Sequence, residues 1–466
     1  MAFDKVVRGG TVVTPSGPVK ADVGIRGERI AAIGEGLSKI DRGAEIIDAR
    51  GHLVLPGVID VHVHLDLPVG DTASNDDFVS GTRAAARGGV TTLIDFATPM
   101  LRRGGRMDSL SRAVDIWHAK AEGKALVDYA FHVCVIDWPN HRREIPGLIE
   151  RGYPTFKEFM IYQERHLGVD DDVIFSTLEM MRDLGGLLLI HAESMDVMRE
   201  MVRRHHTPAM MKKHGAFCHA MSRPNFIEAE AIQRAVTWSG ITGGPLHIVH
   251  MSTGEGADII REAQANGTPV LSETCPQYLV LDDSKLRGRN GHLFCTSPQV
   301  KSPEDSERLW QGLRDGEISI ICTDTCTFTR EQRAVWKGDF TRLPMGMPGL
   351  ETLLPVTYTA GVLGGRLSIT DLCQKLSTNP ARIMGLAPRK GAIEVGADAD
   401  LAIIHPKKRI RVDWRKMETN CDWSPYQGWE LAGFARTTLS RGEVIVDDHR
   451  VVGEKGRGVW LPRRLG

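Results

Sequence analysis

The chain has 466 residues, with 58 Lys+Arg against 59 Asp+Glu, a formal net charge of -1, 42% hydrophobic and 25% charged residues. That length exceeds a usual single domain, and the composition is ordinary for a globular enzyme. A near-neutral balance offers no electrostatic footing for nucleic acid or an anionic membrane, and no apolar run is long enough to span a bilayer, so neither is expected as a partner.

Residues 1–55 read as short strands broken by Gly, Pro and Asp: KVVRGGTVVT, ADVGIRG, RIAAIGEG, AEIIDA and HLVLPG. Alternating patterns with tight turns at this spacing predict a small β unit. The opening MAFDKVVRGGTVV carries charge where a secretory signal would carry its apolar stretch, which predicts a cytoplasmic protein. From residue 56 the texture changes to strands alternating with helices, the signature of a parallel α/β fold. Eight candidate strands follow: VIDVHVHL, TTLIDFATP, VDYAFHVCVID, TFKEFMIY, GLLLIHAES, PLHIVHMST, TPVLSETCPQYL and ISIICTDTCTF. Helical stretches lie between them, such as DDFVSGTRAAARG and SPEDSERLWQGLRDG, the latter opening on a helix start signal. A (β/α)8 TIM-like barrel over residues 56–388 is predicted. Residues 389–466 return to the β texture in GAIEVG, ADLAIIHP, TTLSRGEVIVDD and RVVGEKG. The two terminal segments, 1–55 and 389–466, are expected to form one smaller β-sandwich.

Six residues of metal-ligand type stand at the ends of these strands: His62, His64, Lys157, His191, His250 and Asp324. Strand residues i and i+2 share a face, so His62 and His64 project together while Val61 and Val63 pack outward. His247 and His250 are three apart and cannot share a face; position favours His250, nearer the carboxyl end, and leaves His247 structural. Lys157 has two readings. An ammonium could pair with an acid such as Glu158, or a neutral buried amine could add CO2 and become an anionic bridging ligand; the surrounding histidines favour the second. Asp324 could cap a helix, but at the end of strand eight it can bind a metal and carry a proton. The eight cysteines are scattered without a CxxC pair, as suits reduced thiols, and Cys322 and Cys326 beside Asp324 read as core residues. The loops DLPVGDTAS and YQERHLG follow ligand-bearing strands and are the lid candidates.

In PGVIDVHVHLDLPVG, FKEFMIY, SETCPQYL, TSPQVK, LPMGMPGLET, NPARIMGL and GAIEVGADADLAIIHP the chain resembles the dihydropyrimidinase/hydantoinase family of the amidohydrolase superfamily, with the blocks in that family's order. The resemblance implies two divalent metal ions, usually zinc, bridged by a carbamate formed on Lys157 from CO2. His62, His64 and Asp324 would complete one metal site, His191 and His250 the other. It assigns Tyr162 to polarising the substrate, and Ser297 and Met345 to holding the cyclic amide. The implied reaction opens a 5,6-dihydropyrimidine or hydantoin, a small cyclic ureide, to an N-carbamoyl amino acid, with Asp324 shuttling the proton; a homotetramer or homodimer is implied as well. Two departures stand out: Met345 replaces a frequent Asn, and Thr325 a frequent His after the strand-eight Asp. An allantoinase-like activity and a non-catalytic dihydropyrimidinase-like scaffold are the alternatives. Dihydroorotase-like relatives carry Arg where this chain has Asp66, an acid expected to repel a carboxylated ring.

Overall fold

The computed structural model describes residues 3–40, 43–102 and 105–466. Its centre is an eight-stranded parallel sheet whose spatial order follows the chain: Val58–Val63, Val90–Ala97, Asp128–Cys134, Thr155–Phe159, Leu187–His191, Leu246–Ile248, Val270–Thr274 and Ile320–Ile321. The first three strands are buried along their whole length, because helices cover the outside and side chains fill the inside. Closure of the barrel joins the first strand to the eighth. Val63 bridges Thr325, the His64 N–H donates to the Thr325 carbonyl at 2.9 Å, and Thr323 Oγ1 donates to Asp60 Oδ2 at 2.6 Å. Two ligand-type segments are thereby sewn together at the seam.

The helices start and stop where local chemistry dictates. Pro303–Asp315 opens on a capping box in which Ser302 and Asp305 satisfy each other's backbone N–H, and it stops at Gly316, whose φ of 92° is left-handed. Its buried face presents Leu309, Trp310 and Leu313, and the Trp310 indole donates to the Leu279 carbonyl at 2.9 Å.

Both termini contribute to one nine-stranded sheet, joined where Leu53–Pro56 runs antiparallel to Leu401–Ile404. Alternation divides the packing: Leu401 and Ile403 enter the terminal core with Val7, Val23 and Val54, while Ala402 and Ile404 pack on the barrel core. Between the two units Lys390 Nζ meets Asp128 and Asp400 at 2.7 Å and Asp398 at 3.0 Å, a buried cluster that fixes the start of the third barrel strand. Gly57 sits at the same junction, where a Cβ would come within 2.2 Å of Thr91 Oγ1.

One sequence expectation needs correction. GAIEVG is not a strand: glycines with φ of 94° at both ends, Gly391 and Gly396, turn it, although Ile393 still reaches the terminal core. The aromatic segment from Cys421 to Gly442 buries Trp423 and Tyr426 within the chain, with the Trp423 indole donating to the Phe328 carbonyl at 2.8 Å. These rings therefore give no argument for assembly. No helix among the described residues is long and apolar enough to cross a membrane.

Candidate active site

His62 is the next-to-last residue of the first strand and His64 follows its end, so both rings face the barrel mouth while Val61 and Val63 join the core outside. Lys157 lies within the fourth strand and His191 ends the fifth; His250 and Asp324 lie just past the sixth and eighth. The structure brings all six to one cavity of about 980 Å³, together with Tyr162, Ser297 and Met345. Ligand atoms of His62, His64 and Asp324 lie within 4.8 Å of one another. Asp324 Oδ1 is 3.4 Å from His62 Nε2 and 3.2 Å from His64 Nε2. The His191 and His250 rings meet at 4.6 Å between centroids, and His250 is 5.1 Å from His62.

Three of these residues hold left-handed backbone: His250 with φ 37°, Asp324 with φ 50° and Tyr162 with φ 72°. Such conformations cost non-glycine residues on the order of 1–3 kcal/mol each and persist only where neighbours enforce them. For His250 the enforcing contact is its N–H to Glu273 Oε1 at 3.3 Å. For Asp324 it is the flanking threonines, Thr323 bonded to Asp60 and Thr325 Oγ1 to the Met347 carbonyl at 3.2 Å.

Lys157 is the least ordinary member. It is 1% exposed, and its Nζ has no hydrogen-bond partner. Glu158, the acid that an ion-pair reading needs, accepts from Thr177 Oγ1 at 2.6 Å, and burial pushes its carboxyl up to about 8. Burial also draws the Lys157 amine down to about 8, toward the neutral nucleophilic form. Nδ1 of His64 and of His250 are buried and unpartnered as well. Orphaned donors and acceptors converging on one cavity are costly unless something satisfies them, and a set of imidazoles with a carboxylate fits divalent metal ions.

Two carboxylates that sequence reasoning missed hold this set from behind. Glu273, on the seventh strand, accepts from His62 Nδ1 at 2.5 Å and His247 Nε2 at 3.0 Å. Against the burial that would raise it, the two imidazoles keep its carboxyl well below the usual range. His62 Nε2 is thus turned toward Asp324, and His247 supports the site from within the sheet. Cys322 groups with His62 and Glu273, but those two are already bonded to each other and burial raises the thiol. The second carboxylate is Glu193, which accepts from His191 Nε2 at 2.7 Å, from Ser297 Oγ at 2.9 Å and from Arg223 at 2.6 and 2.7 Å. Tyr162 donates to Ser297 Oγ at 2.6 Å, so one buried network ties a ligand-type histidine to both ring contacts. Burial raises the Tyr162 phenol, which stays a donor. The available signals were an acid at the end of an apolar strand and one two residues after His191; Arg223 carries none. Replacing Glu193 with Gln should leave the Arg223 charge buried and uncompensated, lowering stability by about 3–5 kcal/mol. Denaturant unfolding of the variant measures it.

The two lid-candidate loops line the cavity through Leu67, Val69 and Leu167, and the 331–346 segment adds a further wall. Beyond Tyr162, Arg165 is the group that the YQERHLG loop adds to the polar lining, whereas Glu164 and His166 do not line the cavity. Asp66 does not line the cavity: its carboxylate faces Lys120 Nζ at 3.5 Å, so repulsion of a carboxylated ring by Asp66 has no structural basis. Thr325 is turned away too, accepting from the Gly349 N–H at 3.1 Å.

Residues 53–424 match the amidohydrolase family profile. A D-hydantoinase of Geobacillus stearothermophilus is 38% identical over 465 residues, covering 98% of this chain and 96% of that protein. Among solved structures, the D-hydantoinase from a Bacillus sp. AR9 superposes with a TM-score of 0.93 at 38% identity, over 99% of both chains. The dihydropyrimidinase from Brevibacillus agri NCHU1002 gives 0.93 at 35% identity, over 99% of this chain and 98% of that one.

Proposed function

We propose, for a chain that belongs to the amidohydrolase family and to its hydantoinase and dihydropyrimidinase branch, a hydrolysis that depends on two metal ions held at the barrel mouth. The chain is a cyclic-amide hydrolase. The observation that carries the metal reading is the partnerless, buried Lys157 amine in a cavity with four histidines and Asp324. Lys157, as its carbamate, would bridge the ions; His62, His64 and Asp324 would hold one, His191 and His250 the other, and zinc suits this donor set. When bound, such a pair supplies a nucleophilic hydroxide at neutral pH and polarises the amide carbonyl. The remaining steps belong to side chains. Tyr162 donates to the oxygen on which charge develops, Ser297 and the Met345 backbone position the ring amide, and Asp324 takes the nucleophile's proton and delivers it to the leaving ring nitrogen. The product is an N-carbamoyl amino acid.

The test is the metal-loaded enzyme on dihydrouracil, hydantoin, a 5-substituted hydantoin, allantoin and dihydroorotate. One of the first three should give the highest kcat/KM. Allantoin or dihydroorotate at the top would reassign the substrate and leave the metal chemistry standing. The eight free, buried cysteines suit a cytoplasmic setting. Assembly as a homotetramer or homodimer, the family habit, is checked by sedimentation, where a stable monomer at micromolar concentration removes it.

A further inference from the structure

The cavity is larger than a ring amide requires, and its remaining wall is charged. Arg165, Arg342, Asp71 and Glu331 line it together with the apolar Leu67, Met100 and Phe159. Among the described residues, neither guanidinium has an ion pair or hydrogen bond. Both nevertheless rise from fixed backbone. Arg165 ends a turn held between the left-handed Tyr162 and His166, and its N–H donates to the Tyr162 carbonyl at 2.9 Å. Arg342 ends the turn Phe340–Arg342, which His206 anchors through Asp339 at 3.0 Å. The neighbouring Arg333 is buried and bonded to the Gly346 carbonyl, while Gln332 ties this wall to the 66–74 loop through Thr72 Oγ1 and the Ala73 carbonyl, each at 2.8 Å.

The four charged groups do not weigh equally. Arg165 alone is packed on a residue that reaches the ring contacts: its guanidinium lies 5.3 Å from the centre of the Tyr162 ring, and Tyr162 bonds Ser297. A purely apolar substituent would crowd that guanidinium without satisfying any of its donors. An amine would be repelled by the guanidinium that lies on Tyr162. A carboxylate would find the planar fork that matches it.

We infer that this site takes a ring whose 5-substituent ends in a carboxylate, with Arg165 and Arg342 as the residues that select it. The substrate class is a hydantoin or dihydropyrimidine bearing a short acidic side chain. Water adds across the ring amide C–N bond, giving the N-carbamoyl derivative of a dicarboxylic amino acid, and the substituent is untouched. The inference rests on the ring-opening reading and adds only the substituent.

The experiment compares hydantoin-5-acetic and hydantoin-5-propionic acid with their neutral amides and with a 5-(aminoalkyl)hydantoin. Both kcat/KM on the metal-loaded enzyme and Kd by calorimetry are measured. The acids should exceed the amides about tenfold, with the amine weakest, and the ratio should fall to near one in Arg165→Gln/Arg342→Gln. Amides or the amine matching the acids in the wild type, or an acid preference that survives the double substitution, overturns the inference. Failure to open any of these rings, or unsubstituted hydantoin, would count against the ring-opening reading, while the Kd ratio still decides the substituent.

Discussion

Lys157→Ala should come off purification with little bound metal and lose turnover by roughly 10³-fold or more, as expected when the group that holds a metal centre together is removed. The wild-type amine is 1% exposed and without a hydrogen-bond partner, a state that a structural lysine does not tolerate, because three donors would be buried for nothing. Phe96 and Phe159 flank it at 5.7 and 5.0 Å, supplying the dry surroundings that favour a neutral amine over an ammonium. In the proposed bridge, addition of CO2 would turn that amine into an anion of carboxylate shape between the histidine pairs. Alanine leaves a gap of the same shape, so acetate or propionate should restore part of both metal content and rate. Full metal loading with normal turnover in Lys157→Ala would falsify the bridge. Loss of metal without rescue would leave Lys157 a site residue but remove the carbamate.

Much of this site was legible in the chain because parallel strands buried on both faces leave long apolar runs, and a ligand-type residue at the end of such a run stands out. His62, His191 and Asp324 are visible in this way, and the eight strands lie where those runs predict them. What was not legible depends on contacts distant in sequence. Arg223 sits in the short link before the helix Asn225–Thr242 and meets Glu193 thirty residues earlier, a pairing that no local pattern announces. Asp66 read as a free acid facing substrate because Lys120, on the outer helix Leu110–Ala121, cannot be seen from the loop sequence. The burial of Trp423 has no local signal either: the carbonyl that receives its indole belongs to Phe328, far upstream. Strand ends are written locally, but their supports are written in tertiary pairings.

Asp324→Asn should keep most of its metal and still lose turnover by about 10²–10⁴-fold, the range for removing a positioned general base. Asn preserves the shape and one coordinating oxygen, and the backbone that presents it is fixed independently of the side-chain charge. Thr323 N donates to Asp60 Oδ1 at 3.0 Å and Thr325 N to Thr323 Oγ1 at 3.1 Å, so the left-handed turn at residue 324 should survive the exchange. What the amide cannot do is accept a proton. Asp324 Oδ1 reaches both first-strand histidines, within 3.4 Å, and is the carboxylate that opens onto the cavity from strand eight. Asp60 is bound up with Thr323 at the barrel seam, and Glu273 and Glu193 are each occupied by two or more donors, so none of them is free to carry a proton to the ring nitrogen. The split between metal content and kcat separates proton transfer from ligation. Metal lost in step with rate would make Asp324 a ligand only, and a near wild-type kcat in the Asn variant would move the proton to another group, with Tyr162 the next to test.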